Sequence, residues 1–252
     1  MPIQSQNSMT KAIQIYNDEG ISSSTKDALV RSLASYPLSL IDAGQICTTS
    51  WEEKTCLLII PGGRDLPYHK KLKGKGNERI KRFVENGGAY LGICGGGYYG
   101  ASYIEFDKGY PLEVIGEREL AFFPFTAIGP AYGNNTYRYN SESGARASPI
   151  RFGSHSAHIY YNGGCYFSLP SPHPDIRVLA TYQDLSLPAI IECKVGKGKA
   201  ILSGVHFEMG HSDLPASDHF LEKVLPLLND SELTRKTILN KIINSLINKH
   251  IS

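Results

Sequence analysis

Gly88-Ala89-Tyr90-Leu91-Gly92-Ile93-Cys94-Gly95-Gly96-Gly97-Tyr98 is a short apolar run that ends in a cysteine walled in by glycines. A buried strand that stops at Cys94 and turns sharply into a helix holds the sulfur in a tight bend, because only residues without a Cβ can crowd both sides of such a turn. The same turn is expected to leave the N–H groups of Gly95 and Gly96 unpaired at a helix start. Partial positive charge there favours a thiolate and can receive an oxyanion. The bland alternative is a buried cysteine beside a tight turn, since a free cysteine is a good small hydrophobe.

Working outward, Cys56-Leu57-Leu58-Ile59-Ile60 is apolar throughout, as a strand buried on both faces should be, and it ends at Pro61-Gly62-Gly63. Ala12 to Tyr16 reads as a first strand followed by a helix through Leu29, Val30 and Leu33, and Ser39 to Ala43 reads as a second strand. Asn77 to Glu85 suits a helix that stops at Gly87-Gly88. Strand and helix alternating in this way imply a parallel α/β sheet with right-handed crossovers, whose sites form at the carboxyl ends of the strands. Both the Gly62-Gly63 turn and Cys94 fall there.

From Tyr103 to about Pro174 short aromatic runs are broken by Gly, Pro, Asn and Ser, which predicts a β-rich insertion of short antiparallel strands and long loops. It either forms a lid over the crevice or fills a small core of its own. Order returns with strands at 178–182, 189–195 and 199–204, joined in part by a Gly196-Lys197-Gly198 hairpin. Asp218 to Leu228 is expected to be helical, and Ser231 to His250 a stronger helix with Leu239, Ile242, Ile243 and Leu246 on its apolar face. That helix either closes the sheet or pairs two subunits as a homodimer. One domain over 11–252 is expected, with the insertion at about 103–174 and residues 1–10 frayed.

Composition narrows the class. A net charge of +2 with 20% charged and 41% hydrophobic residues carries no nucleic-acid or membrane signal. No apolar run approaches the roughly 20 residues of a membrane span, and no secretory signal opens the chain. Five widely spaced cysteines without zinc spacing fit reduced thiols in a cytoplasm. No cofactor is called for. His155, His158, His173 and Cys165 match no metal class, and loop histidines are more often solvated, so no metal site is expected. The Lys70–Gly76 stretch reads as a solvated basic loop, with attraction of an anionic substrate as the alternative.

His206-x-Glu208 follows the last strand and suits a base and its orienter, with both side chains on one face by the strand period of two. Cys94 would give its proton to His206, Glu208 would hold the imidazolium, and the oxyanion would sit among N–H groups at Gly95 and at Gly62 or Gly63. For His206 alone a satisfied structural histidine is the commoner role, and for Glu208 alone a solvated charge is.

Taken together, Pro61-Gly62-Gly63, Gly92-Ile93-Cys94-Gly95-Gly96 and Gly204-Val205-His206-Phe207-Glu208 resemble the oxyanion turn, nucleophile elbow and His-x-Glu pair of class I glutamine amidotransferase-like domains. The run from Pro61 to Ala101, with IEFDKG, GEREL and FFPF after it, is similar to the amidotransferase-like N-terminal domain of eukaryotic biotin-protein ligases and its stand-alone bacterial relatives. The resemblance covers about 11–210, most specifically 57–125. It implies a flavodoxin-like fold and a Cys94, His206, Glu208 triad. Tyr98 stands where glutamine-using members usually carry the Gln that helps bind substrate, and Phe207 where they often have proline. Within these 252 residues there is neither a ligase catalytic half nor an adenylate-binding glycine–arginine loop. Two functions follow as expectations. One is a cysteine-dependent amidohydrolase or acyl transferase acting on a small amide or ester through a Cys94 thioester. The other is a non-catalytic small-molecule-binding or regulatory module related to biotin metabolism, recognising a biotin-related or other small ligand.

Overall fold

The computed structural model describes residues 11–247. The expectations for residues 1–10 and for the end of the last helix beyond 247 lie outside the described residues.

Five parallel strands form the frame: β1 (Ala12–Tyr16), β2 (Leu38–Ile41), β3 (Thr55–Ile60), β4 (Ala89–Ile93) and a late strand, β13 (Gly198–Ser203). Their order, β2-β1-β3-β4-β13, is the doubly wound order of flavodoxin-like sheets. Every residue of β3 and β4 is buried, which is why these strands read as unbroken apolar runs. Alternation then sorts the two faces. Leu57 and Ile59 pack with Leu29 of α1 (Ser23–Ser32) and with Ile238, Leu239 and Ile242 of α7 (Glu232–Ile247). Leu58 and Ile60 pack with Ile46 of α2 (Ala43–Thr48), Leu72 of α3 (Asp65–Leu72) and Ile80 of α4 (Lys75–Glu85). The last helix thus lies against the sheet.

Three expectations are corrected here. The basic 70–76 stretch is not a loop, because Lys70 and Lys71 lie on α3 and Lys75 opens α4, with Lys71 paired to Asp18 at 2.9 Å. Tertiary packing of Tyr68 and Leu72 under the sheet overrides the low apolar content of that helix. Asp218–Leu228 is broken into a 3₁₀ turn at His219–Leu221 and α6 (Val224–Asp230), and Pro226 falls in the first turn of α6, where a missing N–H costs nothing. The 103–174 stretch is divided between two sheets. The strands β8 (Arg146–Phe152) and β9 (His155–Tyr161) extend the main sheet, antiparallel, through β11 (Ile176–Tyr182) and β12 (Leu187–Val195). The strands β5 (Ala101–Phe106), β6 (Val114–Glu117), β7 (Phe123–Gly129) and β10 (Tyr166–Phe167) form a second sheet that includes a parallel β5/β7 pair. Its Ile104, Phe123 and Phe167 join the core beneath Tyr98 and Tyr99, so it is a fixed wall of the same core.

Between β4 and β5 the chain makes α5 (Gly95–Tyr99), a single turn wedged against the neighbouring strand ends. A Cβ at Gly96 would overlap the Ile60 carbonyl, and one at Gly97 would meet the Ser203 carbonyl oxygen at 2.5 Å. Backbone sits on backbone there, with no side chain able to yield. Gly96→Ala is therefore expected to destabilise the protein by about 3 kcal/mol or more, read as a shift of the urea unfolding midpoint.

Candidate active site

Cys94 sits at the bend with φ 49° and ψ −106°, outside the regions an ordinary side chain favours, at a cost of about 1–3 kcal/mol. Two backbone bonds hold it: Cys94 N–H donates to Ser203 O at 2.8 Å, and Tyr98 N–H donates to Cys94 O at 2.9 Å. The residue is 8% exposed, at the floor of a cleft of about 820 Å³. Gly63, Gly95, Tyr98, Tyr137 and His206 line that floor and its walls.

The chain leaves β13 at Ser203, and His206 bridges antiparallel to Tyr160 of β9 before the turn at Phe207 and Glu208, so the pair does not share a regular strand. Ser203 Oγ donates to Val205 O at 2.7 Å, His206 N–H to Tyr160 O at 2.9 Å, and Met209 N–H to His206 O at 3.2 Å. The pairing itself is as expected: His206 Nδ1 lies 2.8 Å from Glu208 Oε1. Both side chains are buried, and Glu208 is 0% exposed. Glu208 Oε2 has no donor among the described residues, so the imidazole is the partner on which that carboxylate depends. Burial lowers the pKa of His206. The charges of Glu208 and Cys94 and the hydrogen bond to Glu208 outweigh burial and raise the pKa to about 10. With Nδ1 engaged by Glu208, Nε2 is the ring nitrogen left for another partner.

A buried guanidinium secures this turn. Arg235 of α7 donates from Nη1 to Phe207 O at 2.8 Å, while its Nε and Nη2 bind Glu232 at 2.9 and 2.7 Å. Ser32 of α1 donates to Glu208 O at 3.2 Å. Sequence reading missed both residues, since an arginine on an amphipathic helix carries no local sign of the carbonyl it will reach. It also missed Tyr160, whose ring lies 5.5 Å from that of His206 and whose hydroxyl donates to Glu142 at 2.5 Å.

The glycines divide their work. Gly96 N–H donates to Pro61 O at 3.2 Å, which corrects the expectation that it is unpaired. Gly95 N–H and Gly63 N–H have no acceptor among the described residues, and Gly95 packs directly on the Gly63 peptide. Gly63 has φ 145°, held by Arg64 N–H donating to Gly20 O at 2.8 Å. A Cβ at Gly62 would meet His206 Cε1 at 2.6 Å, so this glycine makes room for the imidazole. Tyr98 donates its hydroxyl to Gly163 O at 3.0 Å and stacks edge-on to Phe106. Burial raises its pKa well above the usual range, which keeps it a neutral donor. His155 and His158 lie on β9, not in a loop, and His155 Nε2 is 2.7 Å from Lys241 Nζ.

Among solved structures the chain resembles a glutamine amidotransferase of Thermotoga maritima, with a TM-score of 0.58 and 14% identity over 95% of this chain and 98% of that one. It also resembles PurLQS of the same organism, with a TM-score of 0.56 and 13% identity over 93% of this chain and 100% of that one. The fold is that of class I glutamine amidotransferase-like proteins. The profile of the family described as "Biotin-protein ligase, N terminal" matches residues 11–250, and the chain belongs to that family. An uncharacterized protein of Chlamydia muridarum is 39% identical over 78% of this chain and 80% of its own length. A biotin–protein ligase of Schizosaccharomyces pombe is 38% identical over 84% of this chain. The match spans only 35% of the ligase. Among the described residues no helix is long and apolar enough to cross a membrane.

The raised pKa of His206 has a signed consequence. An imidazolium favoured in the folded state contributes stability in full below the unfolded value of 6.5, and that contribution is lost as pH rises through about 10. The urea midpoint is expected to fall across this window, and His206→Gln to flatten that part of the profile.

Proposed function

We propose that the chain is a cysteine-dependent amidohydrolase or acyl transferase that takes the acyl group of a small amide or ester onto Cys94. The observation that carries this reading is the strained cysteine at the cleft floor, beside an imidazole whose far nitrogen is held 2.8 Å from a fully buried carboxylate. The Cys94 sulfur, its proton transferred to His206, attacks the carbonyl carbon. The tetrahedral oxyanion sits between the N–H groups of Gly63 and Gly95. Collapse breaks the C–N or C–O bond, and the imidazolium gives its proton to the leaving group. Water or an acceptor amine then cleaves the thioester, with His206 taking the proton of the incoming nucleophile. Glu208 holds the imidazole in place. Five free cysteines fit a reducing, cytoplasmic setting.

A second reading rests on Tyr98. Its ring and hydroxyl occupy the cleft wall where the resemblance places a substrate-binding glutamine, which favours a module that binds a small ligand, biotin-related or other, without turnover. The two readings part on reactivity. With iodoacetamide near neutral pH, intact-mass and peptide analysis is expected to show one adduct at Cys94, forming at least about tenfold faster than in His206→Gln. A rate no greater than that of a free thiol, and unchanged by His206→Gln, overturns the enzymatic reading. In that case biotin or another metabolite would be expected to raise the melting temperature of wild type and Cys94→Ala alike.

A further inference from the structure

Three carboxylates line the cleft: Glu19, Asp65 and Glu142. Two are already compensated. Asp65 lies 2.6 Å from Arg118, and Glu19 lies 3.8 Å from Lys71. Glu142 has no cationic partner among the described residues. Two neutral donors instead fix the same oxygen: Tyr160 Oη donates to Oε2 at 2.5 Å, and Asn162 Nδ2 donates to it at 3.3 Å. Asn162 also donates to Ser141 O at 3.2 Å, which ties the Glu142 loop to the end of β9. Oε1 is left without a donor among the described residues. Glu142 is half-buried, so one oxygen is locked and the other stays open to accept from a charged donor.

Its placement links it to the reacting atoms. Tyr160, which orients Glu142, also accepts His206 N–H on its carbonyl and lays its ring beside the imidazole. The tyrosine needs an acceptor for its buried hydroxyl, and any carbonyl or amide oxygen would serve; the extra negative charge is what this requirement does not explain. The cations of the cleft do not supply the missing partner. Arg138 folds back on Asn135 O and Tyr137 O, at 3.0 and 2.7 Å, Arg64 lies over the Tyr139 ring, and Lys70 is exposed on α3.

We propose that Glu142 is the recognition residue for a cationic N–H donor, an ammonium or guanidinium group, on the ligand that presents its acyl carbon to Cys94. This rests on the reading of the cleft as a cysteine acyl site. The test uses two methanethiosulfonates of similar size, neutral propyl and cationic 2-aminoethyl. Each forms a disulfide with the Cys94 sulfur and releases methanesulfinate, so the sulfur–sulfonyl bond breaks as the new disulfide bond forms. Site-resolved mass analysis gives the rate ratio, cationic over neutral, at Cys94. Glu142→Gln is expected to lower that ratio about fivefold at low salt, Glu142→Asp to keep most of it, and Glu19→Gln to leave it unchanged. A ratio unaltered by Glu142→Gln, or lowered equally by Glu19→Gln, overturns the assignment, the latter because the whole cleft and not this residue would then set the preference. The two ideas fail separately. Slow reaction of wild type with the neutral reagent counts against nucleophile activation, while the ratio still reads Glu142.

Discussion

Close contact between three backbones governs this molecule. The turn after Cys94 lies on the carbonyls of Ile60, Gly63 and Ser203, which belong to the ends of β3 and β13 and to the loop after β3. Only peptide without side chains fits between them. This contact keeps Cys94 at φ 49° although the conformation is unfavourable, since relaxing it would pull Gly95, Gly96 and Gly97 out of their seats. The strain is local and the restraint is distributed over the frame.

From that constraint the remaining geometry follows in steps. The β13 strand pairs with β4 in parallel register, Ser203 opposite Ile93, so the segment after β13 emerges beside the bend. Its turn is then pinned by Arg235 of α7 and Ser32 of α1, which cover the sheet, and by Tyr160 of β9, the far edge strand of that sheet. Glu208 is wholly buried with one oxygen unpartnered among the described residues, a costly arrangement unless the imidazole beside it carries positive charge. The stretch between β5 and β10 completes the cleft, supplying Tyr137, Glu142 and Tyr160 to its walls.

The two Thermotoga maritima structures of similar shape are only 14% and 13% identical to this chain, and a shared frame does not carry a substrate with it. Within this cleft two ties are local. Tyr98 is tied to Gly163, and Glu142 is tied to Tyr160.

The strands on either side of Cys94 were legible because burial on both faces demands continuous apolar residues, and β3 and β4 are such runs. Glycines at 62, 63 and 95–97 were legible because no other residue tolerates such crowding. The His206–Glu208 pair was legible as a spacing, although the turn that joins the two was not. The fate of the Gly96 N–H, taken up by Pro61, was beyond reach, as was the division of residues 103–174 between two sheets. Both depend on which backbone groups meet across long stretches of chain, and nothing within a few residues of either partner records the encounter. Local chemistry thus determined the bend, the thiol and the parallel frame. Only tertiary structure decided which donors stayed free, which cations were spent elsewhere and which carboxylate was left facing the cleft, because these are properties of neighbours in space and not of neighbours along the chain.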